Sequence, residues 1–151
     1  MASLHLKLVT PDRVLLDQEA ISISAPTPDG EITVLAHHIP LASLLTPGVL
    51  RVRRSPQEED EIAVSGGFIE VKRDGTVLIL ADSAERGQEL DIDMIEEAKA
   101  RAKAVMTNAA RQDDESFAAA AAALERELAR YRVATRHRGK GARTMPGQDH
   151  V

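Results

Sequence analysis

Hydrophobic and polar residues alternate through the first half of the chain. Leu4, Leu6 and Leu8 are separated by His5 and Lys7, the two-residue period of a strand with one buried face. Thr10-Pro11-Asp12 marks a turn, and Val14-Leu15-Leu16 opens a second run. Ile21-Ser22-Ile23-Ser24-Ala25 alternates again. Pro26-Thr27-Pro28-Asp29-Gly30 is a strong turn signal, because proline donates no ladder hydrogen bond and Asp-Gly suits a tight hairpin. Glu31-Ile32-Thr33-Val34-Leu35 follows as a strand. Leu41 to Leu45, bracketed by Pro40 and Pro47-Gly48, reads as a strand or short bend at a sheet edge. Val49-Leu50-Arg51-Val52-Arg53 alternates once more, and polar residues 54–60, with Pro56, read as a loop. Ser65-Gly66-Gly67 lies between Ile62-Ala63-Val64 and Phe68-Ile69-Glu70-Val71. A glycine pair between such runs marks a sharp turn or the close approach of another backbone. Asp74-Gly75 and the run Val77-Leu78-Ile79-Leu80 complete the unit. About ten short strands with turn residues between them predict an antiparallel β-sandwich or flattened barrel.

After Gly87 the period changes. Ile92, Ile95, Ala98, Ala102, Val105 and Ala109 recur every three or four residues, which predicts a helix capped by Asp91 or Asp93. Gln112-Asp113-Asp114-Glu115-Ser116 interrupts it. Phe117, Ala121, Leu124, Leu128 and Tyr131 then form a heptad-like stripe. Two helices joined by a short acidic link predict an antiparallel hairpin. Its alanine-rich faces bury little apolar surface, so it is marginally stable unless docked, and able to detach. The fold class is therefore α+β: a sandwich over 1–87, a two-helix hairpin over 88–136, and a polar tail over 137–151. That tail, with Gly139, Gly141, Pro146 and Gly147, cannot build a core and is expected to be disordered.

Composition narrows the function. The chain has 151 residues, no Cys, no Trp, one Tyr, two Phe and a net charge of -5. Disulfides and thiolate chemistry are excluded. Too few aromatics remain for base stacking, and no global basic field attracts a phosphate backbone, so no nucleic-acid partner is expected. No apolar run approaches the ~20 residues of a membrane span, and from the first residues no secretory signal is expected. Charge is nevertheless polarised. Between Leu128 and Arg143 stand Arg130, Arg132, Arg136, Arg138, Lys140 and Arg143, with no acid among them. That stripe is either a solvated helix face or a docking surface for an acidic partner.

Enzyme chemistry finds no footing. His37-His38 would point to opposite faces of a strand, poor geometry for one metal. Ser65-Gly66-Gly67 lacks the lysine and following helix of a phosphate loop, and no nucleophile-elbow sequence frames a serine. The acidic runs Glu58-Glu59-Asp60-Glu61 and Asp113-Asp114-Glu115 read as solvated loops. No catalytic residue, metal or cofactor is expected. Residues alone thus lead to an interaction module with a mobile charged hairpin.

An ordered series of motifs goes further. Asp29-Gly30-Glu31-Ile32, His38-Ile39-Pro40-Leu41, Pro47-Gly48, Ser65-Gly66-Gly67-Phe68-Ile69-Glu70-Val71 and Leu80-Ala81-Asp82-Ser83-Ala84-Glu85-Arg86-Gly87 resemble the epsilon subunit of bacterial F-type ATP synthases (delta in mitochondria). The likeness runs from about Leu4 to Arg136. It implies a central-stalk rotor subunit without catalysis of its own, peripheral on the cytoplasmic face of the bacterial plasma membrane. The sandwich would grip the gamma shaft through His38 and rest on the c-ring through Gly30 and Glu31. His37 stands where the family usually has glycine. The resemblance also implies a hairpin that inhibits ATP hydrolysis when it extends among the alpha and beta subunits, with Arg126, Arg130, Arg132 and Arg136 facing an acidic surface there.

Some members bind ATP on the folded hairpin as a regulatory ligand. Asp91, Arg126 and Arg130 match that site, but Met94 occupies the place of the family's first-helix arginine. A triphosphate then lacks a charge-assisted partner, so weak or absent binding is expected. The alternative to the rotor reading is a stand-alone adaptor whose basic helix and tail bind an acidic protein or anionic membrane.

Overall fold

The computed structural model describes residues 2–109 and 114–143. Ten strands precede two helices. β1 (Leu4–Val9), β2 (Val14–Ala20), β5 (Leu41–Leu45), β8 (Gly67–Val71) and β9 (Thr76–Ala81) form one sheet, in the order β2-β1-β9-β8-β5. β3 (Ser22–Thr27), β4 (Gly30–Leu35), β6 (Gly48–Ser55), β7 (Glu58–Val64) and β10 (Ala84–Arg86) form the other, in the order β10-β7-β6-β3-β4. All pairings are antiparallel except β1 with β9, which is parallel.

The alternating residues face inward as their period predicts. Leu6, Leu8, Ile23, Leu50, Val52, Ile62, Ile69, Val77 and Ile79 are buried between the sheets. The apolar side chains removed from water there are the main stabilising term. Gly67 explains the glycine pair. Its φ is +141°, and a Cβ would overlap the Leu80 carbonyl oxygen and lie 2.9 Å from the Ala81 Cα. The bare backbone lets β8 cross close to β9 where the two strands begin to pair.

The predicted loop over 54–60 is not a loop. β6 runs to Ser55 and β7 starts at Glu58, so only Pro56 and Gln57 turn the chain. Polar side chains line both strands, yet they match across the ladder. Arg53 pairs with Glu59 at 3.2 Å and Arg54 with Asp60 at 2.8 Å. Opposite charges facing each other support a strand pair that hydrophobic period alone cannot reveal. The acidic run 58–61 therefore belongs to a strand, not a solvated loop.

A single 3-10 turn over Gly87–Glu89 leads from the sandwich to α1 (Ile92–Ala109). Asp91 Oδ1 accepts from the amides of Asp93 at 2.9 Å and Met94 at 3.3 Å, so Asp91 is the cap of α1. α2 (Asp114–Arg143) packs against α1 and lies over β6, β7 and β10. It continues seven residues past the hairpin boundary at 136. The glycines at 139 and 141 lower helix propensity without ending the helix. The acidic link at 112–113 and the tail at 144–151 lie outside the described residues.

α2 has two working faces. The predicted stripe meets α1: Phe117 and Leu124 share an apolar recess with Met106 of α1, and Lys99 Nζ stands 4.3 Å from the Tyr131 ring centroid. On the side toward the sandwich Val133, whose carbonyl lies against Gly87, and Ala129 one turn before it are buried; Ala120, Glu127 and Ala134 are buried as well.

Candidate functional site

Three surfaces carry the residues expected to make contacts. The first is the end of the sandwich formed by the β3–β4 hairpin. Gly30 has φ +112° and starts β4 directly after the Pro28-Asp29 tip, while Thr27 Oγ1 donates to the Gly30 carbonyl at 2.6 Å. Glu31 is exposed on the outer face and ion-paired to Arg51 of β6. Thr46 N donates to Pro26 O at 3.1 Å, which ties this hairpin to the turn after β5.

Beside that end lies a feature the sequence reading missed. Strand register aligns Leu44 of β5 with Phe68 of β8, Phe68 with Leu80 of β9, Leu80 with Val9 of β1, and Val9 with Val14 of β2. All five sit on the outer face of one sheet. Val14, Leu44, Phe68 and Leu80 are exposed, Leu44 by 63%. An apolar row across every strand of a sheet is unlike the scattered apolar exposure of ordinary surfaces.

The second surface is the turn between β4 and β5. His37 has φ +66°, the one non-glycine residue with positive φ among the described residues. Histidine enters this region more readily than β-branched residues, so the turn accommodates His37. His38 N donates to Leu35 O at 3.1 Å, and its Nδ1 lies 2.6 Å from Ile39 O. His38 is thus held at the start of β5, whereas Leu44 lies near that strand's far end. Gly30 and Glu31 share an end with the apolar row; His38 does not.

The third surface is the seat of the hairpin. Arg130 donates through Nη2 to Glu85 Oε2 of β10 at 2.9 Å and through Nη1 to Glu127 Oε2 at 2.8 Å. Burial disfavours the Arg130 charge, but the bonds to Glu85 and Glu127 outweigh it and hold its pKa above the ordinary guanidinium value. Arg136 donates through Nη1 to Glu61 Oε1 of β7 at 2.6 Å. Arg126 stands 3.7 Å from Glu127, and Arg132 lies along its own helix with Nε 3.4 Å from Leu128 O. Of the four arginines, two therefore grip the sandwich and two remain on the outer hairpin. No described hydrogen bond or ion pair joins Asp91 to Arg126 or Arg130; Asp91 is occupied as a helix cap. Met94 is 65% exposed on α1.

Away from these surfaces, His5 bonds Asp17 and Glu19 across the β1–β2 pair, and Ser3 Oγ donates to Glu19 Oε2 at 2.7 Å. The bonds to Glu19 and Asp17 raise the His5 pKa above 6.5. Those from Ser3 and His5 lower that of Glu19. Among the described residues, no group of three His, Cys, Asp or Glu is arranged to hold a metal, and no helix is long and apolar enough to cross a membrane.

Comparison with known proteins agrees with this geometry. Residues 3–87 match the family model described as ATP synthase, Delta/Epsilon chain, beta-sandwich domain. The chain is 43% identical over 134 residues to the ATP synthase epsilon chain of Moorella thermoacetica, covering 89% of this chain and 98% of that one. It is 50% identical over 96 residues to the epsilon chain of Dichelobacter nodosus, covering 64% and 66%. It also superposes on a chain of the Euglena gracilis mitochondrial ATP synthase, solved as an OSCP/F1/c-ring assembly. There the TM-score is 0.72 with 29% identity, covering 83% of this chain and 77% of that one. The family match covers the sandwich and the Moorella relative extends through the hairpin: the chain belongs to the ATP synthase delta/epsilon family.

Proposed function

We propose that the chain is a central-stalk rotor subunit of an F-type ATP synthase, without a catalytic set of its own. The observation that carries this reading is the apolar row Val14–Val9–Leu80–Phe68–Leu44 beside the Gly30–Glu31 hairpin. A torque-bearing coupling needs a rigid body and a broad attachment. The two-sheet core supplies the first, and the row supplies apolar surface for a helix of the gamma shaft. The polar tip at Gly30 and Glu31 suits the loops of the c-ring, and His38 adds a shaft contact at the far end of β5. The assembly would place the subunit on the cytoplasmic face of the membrane through its partners. What supports it is the family membership and the likeness to an F1/c-ring assembly chain.

The hairpin serves this reading as a brake on ATP hydrolysis. Its extended form would offer Arg126, Arg130, Arg132 and Arg136 to the acidic faces of the alpha and beta subunits. ATP as a regulatory ligand fits less well, since Met94 replaces a cationic partner and Arg130 is already bonded to two carboxylates. Titration calorimetry is expected to find no micromolar ATP binding. The adaptor reading needs a free basic face, and the pairing of Arg130 and Arg136 removes part of it.

The attachment is tested by binding to a gamma–catalytic core complex. Phe68→Lys with Leu80→Glu is expected to abolish binding while circular dichroism and the melting curve stay near the wild type, because both side chains are exposed and the introduced charges are opposite across the strand pair. Unchanged binding would remove the row from the interface.

A further inference from the structure

Two of the four arginines assigned to an acidic partner in the extended state, Arg130 and Arg136, also hold the folded state. Arg130 is bonded to Glu85 of β10, and Arg136 to Glu61 of β7. Both glutamates belong to the sandwich and both are largely buried beneath α2; Glu61 exposes 12% of its side chain and Glu85 28%. Between them lies Ala63, paired in register with Glu85 and itself 3% exposed. A third contact fixes how closely α2 can approach. A Cβ on Gly87 would overlap His137 Cβ, lie 2.8 Å from His137 Cγ and 3.2 Å from the Val133 carbonyl oxygen. Gly87 has no positive φ, so its backbone accepts any residue. Only the space above it is forbidden.

We propose that Glu61 and Glu85 form an internal acidic latch that stands in for the partner surface. Folded, the hairpin has Arg130 and Arg136 engaged by the sandwich's own carboxylates. Extended, the same arginines are free to meet an acidic partner. One set of cations thus serves two competing acceptors, and the strength of the latch sets how often the brake is available. Gly87 is the seat that brings the latch into range. The apolar contribution to the seat is small, since α2 offers mainly Ala129 and Val133 there. The charge-assisted bonds therefore decide the balance, each worth several-fold in the equilibrium. The consequence for hydrolysis rests on the brake reading above; the latch itself does not.

The absence of cysteine allows clean spin labelling of the full chain at Gln57→Cys in the β6–β7 turn, on the sheet that α2 covers, and Ala122→Cys on α2, both exposed sites. The distance distribution between them reports docking. The wild type is expected to give one dominant short distance. Glu61→Gln with Glu85→Gln is expected to raise the long-distance fraction by about tenfold, and Gly87→Ala to do the same with every charge intact. The exchange Glu85→Arg with Arg130→Glu is expected to return the short distance relative to Arg130→Glu alone. If the glutamine pair and Gly87→Ala both keep the wild-type distribution, the latch is wrong, whatever hydrolysis does. In the assembled complex the glutamine pair is expected to strengthen inhibition, because it frees the arginines without removing them. A shifted distribution with unchanged hydrolysis would uphold the latch and refute the brake.

Discussion

Single residues carry more of this fold than their size suggests. Gly67 is the clearest case. Gly67→Ala places a methyl group against the Leu80 backbone at a φ that alanine rarely adopts. The variant is expected to lose about 3 kcal/mol or more of stability in denaturant unfolding. His37 is the converse: a side chain held at positive φ. His37→Gly is expected to be neutral or slightly stabilising, and His37→Val to cost about 1–2 kcal/mol, since a β-branched residue fits the left-handed region poorly. His5 gives a pH test. Its folded pKa is raised, first by Glu19 and then by Asp17. Its contribution to stability is complete below its unfolded value and is lost as pH rises through the higher folded value. Proton NMR titration should find His5 above 6.5 in the wild type and closer to it in Glu19→Gln. A His5 titration unmoved by Glu19→Gln would break that account.

Elements differ in how openly the sequence displays them. Strands with one buried face were legible from their alternation, as Leu4, Leu6 and Leu8 show. The extended β6–β7 hairpin was not, because its outer half is held by Arg53–Glu59 and Arg54–Asp60 pairs that carry no hydrophobic period. The seat face of α2 was hidden for a related reason. Ala129 and Val133 look like ordinary helix positions, and Arg130 and Arg136 look like a solvated face, until tertiary contact engages them. The cap of α1 was readable, and the structure chooses Asp91 over Asp93. Asp91→Ala is expected to cost the hairpin about 1 kcal/mol. It should appear as faster amide exchange in α1 with the sandwich amides unchanged. Equal acceleration in both parts would mean that sandwich and hairpin unfold as one unit.

At the scale of the whole molecule, function depends on register, which no local pattern exposes. The five apolar residues of the outer row are scattered from Val9 to Leu80 and meet only when five strands are aligned. In the sequence, Val77-Leu78-Ile79-Leu80 reads as a continuous apolar run; in the sheet, Ile79 enters the core while Leu80 faces water. The basic stripe was visible at once, but its masking was not, because Glu61 and Glu85 lie far from it along the chain. On the proposed reading the molecule presents two independent surfaces: a rigid apolar face for attachment, and a charged hairpin whose cations are held in reserve.

That division is tested most directly by ATP hydrolysis of the matching catalytic core, with the full chain added and with a chain ending at Gly87. The account predicts that both bind the shaft and only the full chain slows hydrolysis. Binding by both with no slowing by either would contradict the brake, and failure of both to bind would contradict the attachment.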